Sequence, residues 1–253
     1  MLAPMTLSHQ PRAHWVLAHP DPDSLNGRLQ RAGVDALTAA GWQVECSDLY
    51  AMGWDPVLVT AGGADVRSEQ QKLCRADLLI VQFPLWWYGM PAILKGWFDR
   101  VFEAGYAYDV LDPRTGRSRK YGDGGLVGRR ALTVVTAGDR AGSLAERGIS
   151  GHIEDVLWPL LHGTFFYTGM APLRPQLITD TRSITRERYA GLERALTRRL
   201  TGVLDEIPIG YRPMDDEHYD HSIALHPQLA PGATGTAAHR IDTRGELGTP
   251  QNG

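Results

Sequence analysis

Short unbroken apolar runs alternate along this chain with stretches at helical spacing, and that alternation sets out the predicted elements. His14–Ala18 (HWVLA) and residues 78–84 (LLIVQFP) read as strands buried on both faces. Between them, Leu25, Leu29, Ala32/Gly33, Ala36/Leu37 and Ala40 keep a helical period that Gly41 ends, and Trp42–Cys46 alternates as a second strand. Residues 47–63 carry turn residues, and the capping-box spacing of Ser68 and Gln71 predicts a short helix beginning at Ser68. Pro91 stands as the first residue of a helix carrying Ile93/Leu94, Trp97/Phe98 and Val101/Phe102, with Trp97 and Phe98 in the core. After a long Gly-, Arg- and Asp-rich loop at 105–129, Arg130–Thr136 reads as a buried strand. A helix over about 151–161 follows, kinked at Pro159. Pro172–Thr179 is the last strand. The last helix, Thr185–Leu204, has the stripe Tyr189, Leu192, Leu196, Leu200, Leu204 and a staple between Ile184 and Tyr189. Strands alternating with helices predict an α/β fold: a doubly wound five-stranded parallel sheet with helices on both faces.

The period is lost beyond Pro208, so the chain divides into an N-terminal extension (1–12), a folded domain (13–210) and a tail (211–253) that either wraps a partner subunit or is flexible. An apolar share of 43% in 253 residues suffices for a substantial core. A formal net charge of -3, with no basic cluster interleaved with aromatics, speaks against a nucleic-acid partner. No basic n-region opens the chain and no run approaches eighteen apolar residues, which argues against membrane insertion and for a cytoplasmic protein. Cys46 and Cys74 have neither metal-ligand nor nucleophile spacing. The tail's EHYDH run, with His218 and His221, reads as solvated polar chain, so no metal site is assigned.

Three loops at carboxyl strand ends carry the candidate chemistry, because open α/β sheets bind ligands there. Asp21-Pro22-Asp23-Ser24-Leu25-Asn26 opens a helix and suits either a phosphate or a plain N-cap by Asp23 or Ser24. Neither G-x-G-x-x-G nor a P-loop follows the first strand. Trp86-Trp87-Tyr88-Gly89 exposes enough apolar area to need a cover, which is either a flat ring such as a flavin or a neighbouring loop or subunit. Thr136-Ala137-Gly138 makes the third turn. Convergence of the three would form a flavin pocket.

The segments AHPDPDSLN, GWQVECSDLYAMGWDP, QFPLWWYGMPAILKGWFDRVF and LWPLLHG, in this order, resemble the flavodoxin-like NAD(P)H:quinone oxidoreductases of the DT-diaphorase and modulator of drug activity B type, over about His14–Tyr211. The resemblance implies a flavodoxin-like fold, a homodimer with FAD at sites between subunits, and ping-pong hydride transfer from NAD(P)H to flavin to a quinone or quinone-like aromatic acceptor. By position it implies that His19, Ser24, Leu25 and Asn26 hold the diphosphate and ribityl chain. Pro84, Leu85, Trp87 and Tyr88, with Trp86 in the same loop, lie under the isoalloxazine, while Thr136, Ala137 and Gly138 approach its pyrimidine side. Tyr108 would be an aromatic gate, and Trp158 would pack at the dimer interface.

Two departures stand out. Where the family places a Tyr and a His against charge developing on the flavin, this chain has Asp139–His152, one residue longer. Gly142 or Leu144 falls at the Tyr position and Ser150 at the His position, with His152 two residues on, so Ser150 and His152 are the catalytic candidates and Arg140 or Arg147 alternative sources of charge. A serine can donate a hydrogen bond but carries no charge, and losing one such donor costs on the order of 3 kcal/mol. In the last helix Tyr189, beside Arg186 and Arg188, replaces an Arg directed at the adenine, which leaves FMN open beside FAD. The enzyme reading competes with a second one: a flavin-binding regulatory or ancillary subunit of a transporter or other redox-sensing partner.

Overall fold

The computed structural model describes residues 9–241; residues 1–8 and 242–253, parts of the N-terminal extension and the tail, lie outside them. The central strands are β1 (Arg12–Leu17), β2 (Gln43–Asp48) and β3 (Leu78–Pro84), joined by α1 (Leu25–Ala39) and α2 (Ala64–Arg75). The helix α3 (Ala92–Val101) leads to a small antiparallel hairpin, β4 (Val110–Leu111) and β5 (Ser118–Arg119), inside the long loop. The strand β6 (Arg130–Thr136), the short helices α4 (Ile153–Val156) and α5 (Trp158–Leu160), a π-turn over Leu161–Phe166, the strands β7 (Ala171–Pro172) and β8 (Gln176–Ile178), and α6 (Arg186–Thr201) complete it.

The sheet order is β2-β1-β3-β6, with β7 and β8 sharing the fifth position, and every pairing in it is parallel. The predicted last strand is therefore split. Ala131 faces Pro172 while Val134 faces Gln176, so three steps along β6 meet four along the edge and one residue is extra. The insertion falls at Leu173-Arg174-Pro175, where Pro175 has no N–H for the ladder.

Side chains alternate across the sheet with period two. Trp15, Leu78, Ile80, Leu132 and Val134 pack under α1 and α6, while Val16, Leu79, Val81, Ala131 and Val135 pack under α2, α3 and the α4–α5 segment. Trp97 and Phe98 are core residues, as expected. Thr185 caps α6, its hydroxyl accepting the Arg188 N–H.

Two helix starts differ from the sequence expectation. Ser68 caps nothing, because Gly63 at a φ of 135° turns the chain into α2 and its carbonyl accepts the Arg67 N–H a full turn earlier. Pro91 is the N-cap of α3 rather than its first residue. The kink expected at Pro159 becomes a break at Leu157, since Pro159 cannot donate to the preceding turn. Residues 211–241 fold back on their own chain: Tyr211 pairs with Arg240, whose Nη2 donates to Asp155 Oδ1 (2.6 Å), and the Trp158 ring meets Tyr211 edge-on at 5.4 Å.

A buried polar cluster under α2 has no counterpart in the sequence reading. Glu69 is fully buried and accepts from Lys72 Nζ (2.6 Å), Ser47 Oγ (3.0 Å) and Trp97 Nε1 (2.9 Å), with His14 Nε2 at 3.4 Å. Burial pushes its carboxyl up, but the hydrogen bonds from His14 and Lys72, the His14 charge and the Ser47 hydroxyl outweigh it and bring it to about 2. A carboxyl lower in the folded than in the unfolded state stabilises the fold above its unfolded value and ceases to do so as pH falls toward 2. Glu69→Gln should accordingly flatten the loss of stability between pH 4.5 and 2 in denaturant titrations, and cost about 1 to 3 kcal/mol at neutral pH by removing the counter-charge of Lys72, which keeps its bond to Ser47.

Candidate active site

A chain of buried hydrogen bonds ties the three loops together. Trp15 Nε1 donates to Gln82 Oε1 (2.9 Å), Gln82 Nε2 donates to the Asn26 carbonyl (2.9 Å), and Asn26 Nδ2 donates to Thr136 Oγ1 (2.8 Å). All these side chains are buried. Asn26 and Thr136, read as ligand contacts from the sequence, thus bind each other across the strand ends. Gln82, the polar residue in the apolar run, is the connector. The Leu85 N–H adds a bond to the Thr136 carbonyl (2.8 Å), which sets the aromatic loop beside the Thr136-Ala137-Gly138 turn, and Pro84 faces Thr136 in the ladder.

In the first loop Ser24 is the N-cap, its Oγ accepting the Gly27 N–H at 3.2 Å, with Leu25 as the first helical residue. Asp21 Oδ1 accepts the Asp23 N–H (2.8 Å) and Asp23 pairs with Arg31 (3.5 Å), so both carboxylates have local partners. A Cβ on Gly27 would lie 1.9 Å from the Pro22 carbonyl oxygen, so only glycine lets the loop close over the helix start. His19 Nδ1 lies within hydrogen-bond reach of both the Asp21 N–H (3.1 Å) and the Asp21 carbonyl (3.0 Å), and its ring sits 6.5 Å from that of Trp86.

The aromatic loop is a tight turn. Trp86 and Gly89 exchange two backbone hydrogen bonds of 3.0 Å, and Trp87 and Tyr88 between them both have positive φ, 50° and 60°. Two bulky aromatics in the left-handed region store strain, on the order of 1–2 kcal/mol each. The turn presents Trp87 to solvent at 98% exposure.

Leu85, Trp87 and Tyr88 line a cleft of about 360 Å³ together with Ala137, Gly138, Asp139, Leu144 and Arg182. The N–H groups of Gly138 and Asp139 donate to no backbone carbonyl among the described residues, whereas Ala137 N–H donates to Ile178 (2.8 Å). Apolar and aromatic walls with two free donors suit a flat ring with polar acceptors on one edge.

Of the alternatives at the Tyr position, the buried Leu144 lines this cleft and Gly142 does not. Ser150 Oγ is hydrogen-bonded to Tyr88 Oη (3.1 Å) and does not itself line the cleft. His152 caps α4, its Nδ1 accepting the Glu154 N–H at 3.4 Å, and neither it nor Arg140 nor Arg147 lines the cleft. Tyr108 lines a different groove of about 450 Å³, with Leu58, Met90, Phe98, Phe102 and Tyr167. Tyr189 donates to the Arg28 carbonyl (3.4 Å) under the Arg28 guanidinium, 4.6 Å above its ring, while Arg188 donates to the Thr179 and Asp180 carbonyls. The sequence reading overlooked Arg182, which carries no signal but its place after a strand. In the tail, His218 pairs with Asp215 (2.6 Å), and among the described residues no three metal-ligating side chains cluster.

Residues 11–200 match the family model described as flavodoxin-like fold. A ribosyldihydronicotinamide dehydrogenase-like protein of Penicillium crustosum is 38% identical over 240 residues, 83% of this chain and 88% of that protein. The NAD(P)H dehydrogenase [quinone] 1 of Cavia porcellus is 33% identical over 80% of each. The chain belongs to the flavodoxin-like NAD(P)H:quinone oxidoreductases. A Klebsiella pneumoniae structure assigned as a quinone reductase superposes with a TM-score of 0.86 at 37% identity, covering 91% of this chain and all of the other. Nothing in these matches supports a transporter subunit, and the oxidoreductase reading stands.

Gln82→Leu, which keeps the apolar run but removes the connector, should cost about 1–3 kcal/mol for each group left unpaired, among them Trp15 Nε1. Urea unfolding measures the loss, and an unchanged midpoint would separate the relay from stability.

Proposed function

We propose that the cleft holds a flavin, FAD in preference to FMN, and that the chain passes two electrons at a time from NADH or NADPH to a quinone or a related aromatic acceptor. The observation that carries this reading is the strained aromatic turn, held open beside two unpartnered N–H groups. A bound flavin would supply the two-electron chemistry, accepting hydride from a nicotinamide and returning it to the acceptor.

The chain's own groups bind and orient. Trp87 and Tyr88 offer aromatic faces, Leu85 and Leu144 exclude water, and the Gly138 and Asp139 N–H groups suit the ring's polar edge. The His19 ring and the start of α1 at Ser24, Leu25 and Asn26 suit a phosphate chain. Ser150 acts by holding the Tyr88 hydroxyl, and His152 by fixing the start of α4. FAD rather than FMN is supported by the Arg28–Tyr189 pair beside the first loop, which offers an aromatic and cationic surface to an adenine.

A homodimer is supported by exposed Val57, Leu58 and Val59 and by Tyr108, which shares a groove with Leu58, apolar side chains that a second copy would cover. In that assembly Tyr108, which lines a groove other than its own cleft, would gate the cleft of the other copy, and the folded arm at 211–241 would lie against it. No helix among the described residues is long and apolar enough to cross a membrane. A reducing, cytoplasmic setting suits the free Cys46 and Cys74.

The purified protein should be yellow, release FAD on denaturation, and bleach anaerobically with NADH or NADPH before menadione restores its colour. Failure to take up either flavin would end the reading. Trp87→Gly relieves left-handed strain at a residue with no packing to lose, against about 0.5–1 kcal/mol for glycine's extra freedom, so its unfolding midpoint should stay near the parent's. Its flavin dissociation constant should rise about tenfold, the scale of one lost aromatic stack. Retained affinity would remove Trp87 from the site.

A further inference from the structure

Arg182, in the loop after β8, is the cationic side chain that lines the cleft. Its Nε lies so near the third turn that a Cβ on Gly138 would come within 3.3 Å of it. It makes no hydrogen bond or ion pair among the described residues, in contrast to Arg188 in the first turn of α6, which donates to the Thr179 and Asp180 carbonyls, and to Arg174, which pairs with Glu154. The other titratable groups of the cleft are Asp139, whose Oδ1 takes the Arg140 N–H (2.8 Å), and Tyr88, whose hydroxyl is bonded to Ser150. Arg182 is exposed and within electrostatic reach of Asp139, whose carboxyl is held below its ordinary value by the Ser143 hydroxyl, the Arg140 N–H and the Arg182 charge, and its guanidinium joins the Gly138 and Asp139 N–H groups as a donor on one wall of the cleft.

We infer that Arg182 holds the negative charge that hydride delivery leaves in the cleft, binding reduced flavin more tightly than oxidised flavin. The inference rests on the reading that a flavin occupies this cleft. A hydride carries two electrons and one proton, so its transfer from a neutral dihydronicotinamide leaves NAD(P)⁺ and one negative charge on the ring. When the hydride passes on to a quinone, a proton from water completes the hydroquinone and the charge is gone. A guanidinium keeps its proton at any working pH, so Arg182 meets that charge without a transfer of its own. It acts on the reduced state and leaves the oxidised, neutral ring almost untouched. This differential binding sets a redox potential as well as a rate.

The test compares the full-length parent with Arg182→Gln and Arg182→Lys. Flavin affinity is measured in the oxidised state and under anaerobic dithionite, and the midpoint potential is measured by equilibration with a reference dye. Arg182→Gln should weaken binding of reduced flavin about tenfold relative to oxidised flavin, the scale of a hydrogen bond to a charged group. That ratio corresponds to a fall of about 30 mV in a two-electron midpoint. Arg182→Lys, which keeps the charge but not the planar fork, should fall between parent and Gln. An unchanged potential in a flavin-loaded Arg182→Gln overturns the inference and leaves the flavin reading standing. Equal weakening of both states also overturns it, since Arg182 would then be a binding contact indifferent to charge. A parent that binds no flavin removes both.

Discussion

The site depends on the hydrogen-bond chain Trp15–Gln82–Asn26–Thr136, which crosses the carboxyl ends of three adjacent strands inside the core. A buried donor or acceptor without a partner is costly, so the groups satisfy one another only when β1, β3 and β6 are in register and α1 starts where it does. Sheet register and loop position thereby become one constraint. The aromatic turn and the Thr136-Ala137-Gly138 turn lie side by side because the strands that end in them are locked together.

On that frame the loops carry strain and exposed apolar surface that the core tolerates. Trp87 and Tyr88 occupy backbone conformations that bulky residues avoid, and Trp87 faces solvent almost completely. Neither feature helps the chain fold. Both fit the proposed flat partner, since a turn pinned by two backbone bonds would not have to reorganise to receive it.

The electrostatic design differs from what the family resemblance implied. Ser150 and His152 stand where charge stabilisation was expected, yet one supports Tyr88 and the other caps α4. Leu144 lines the cleft with an apolar side chain, and the cationic side chain that lines it is Arg182, in the loop after β8. The fold of the reductases is thus kept with different side chains around the cleft.

The order of strands and helices, the parallel sheet and the three loops were legible in the sequence, because apolar periodicity reports directly which side of each element meets the core. The family was legible in contiguous segments such as QFPLWWYGMPAILKGWFDRVF, since a loop and its flanking elements travel together in the chain. Partner choice was not. Asn26 bonds to Thr136 across 110 residues, Glu69 gathers His14, Ser47 and Trp97, and Arg182 lies beside Gly138, and no local spacing encodes any of these. The break of the edge strand at Pro175 and the start of α2 at Gly63 were likewise set by long-range pairing and backbone geometry. Sequence fixes what each side chain can do; which group it does it with is decided only when the strands close the distance between them.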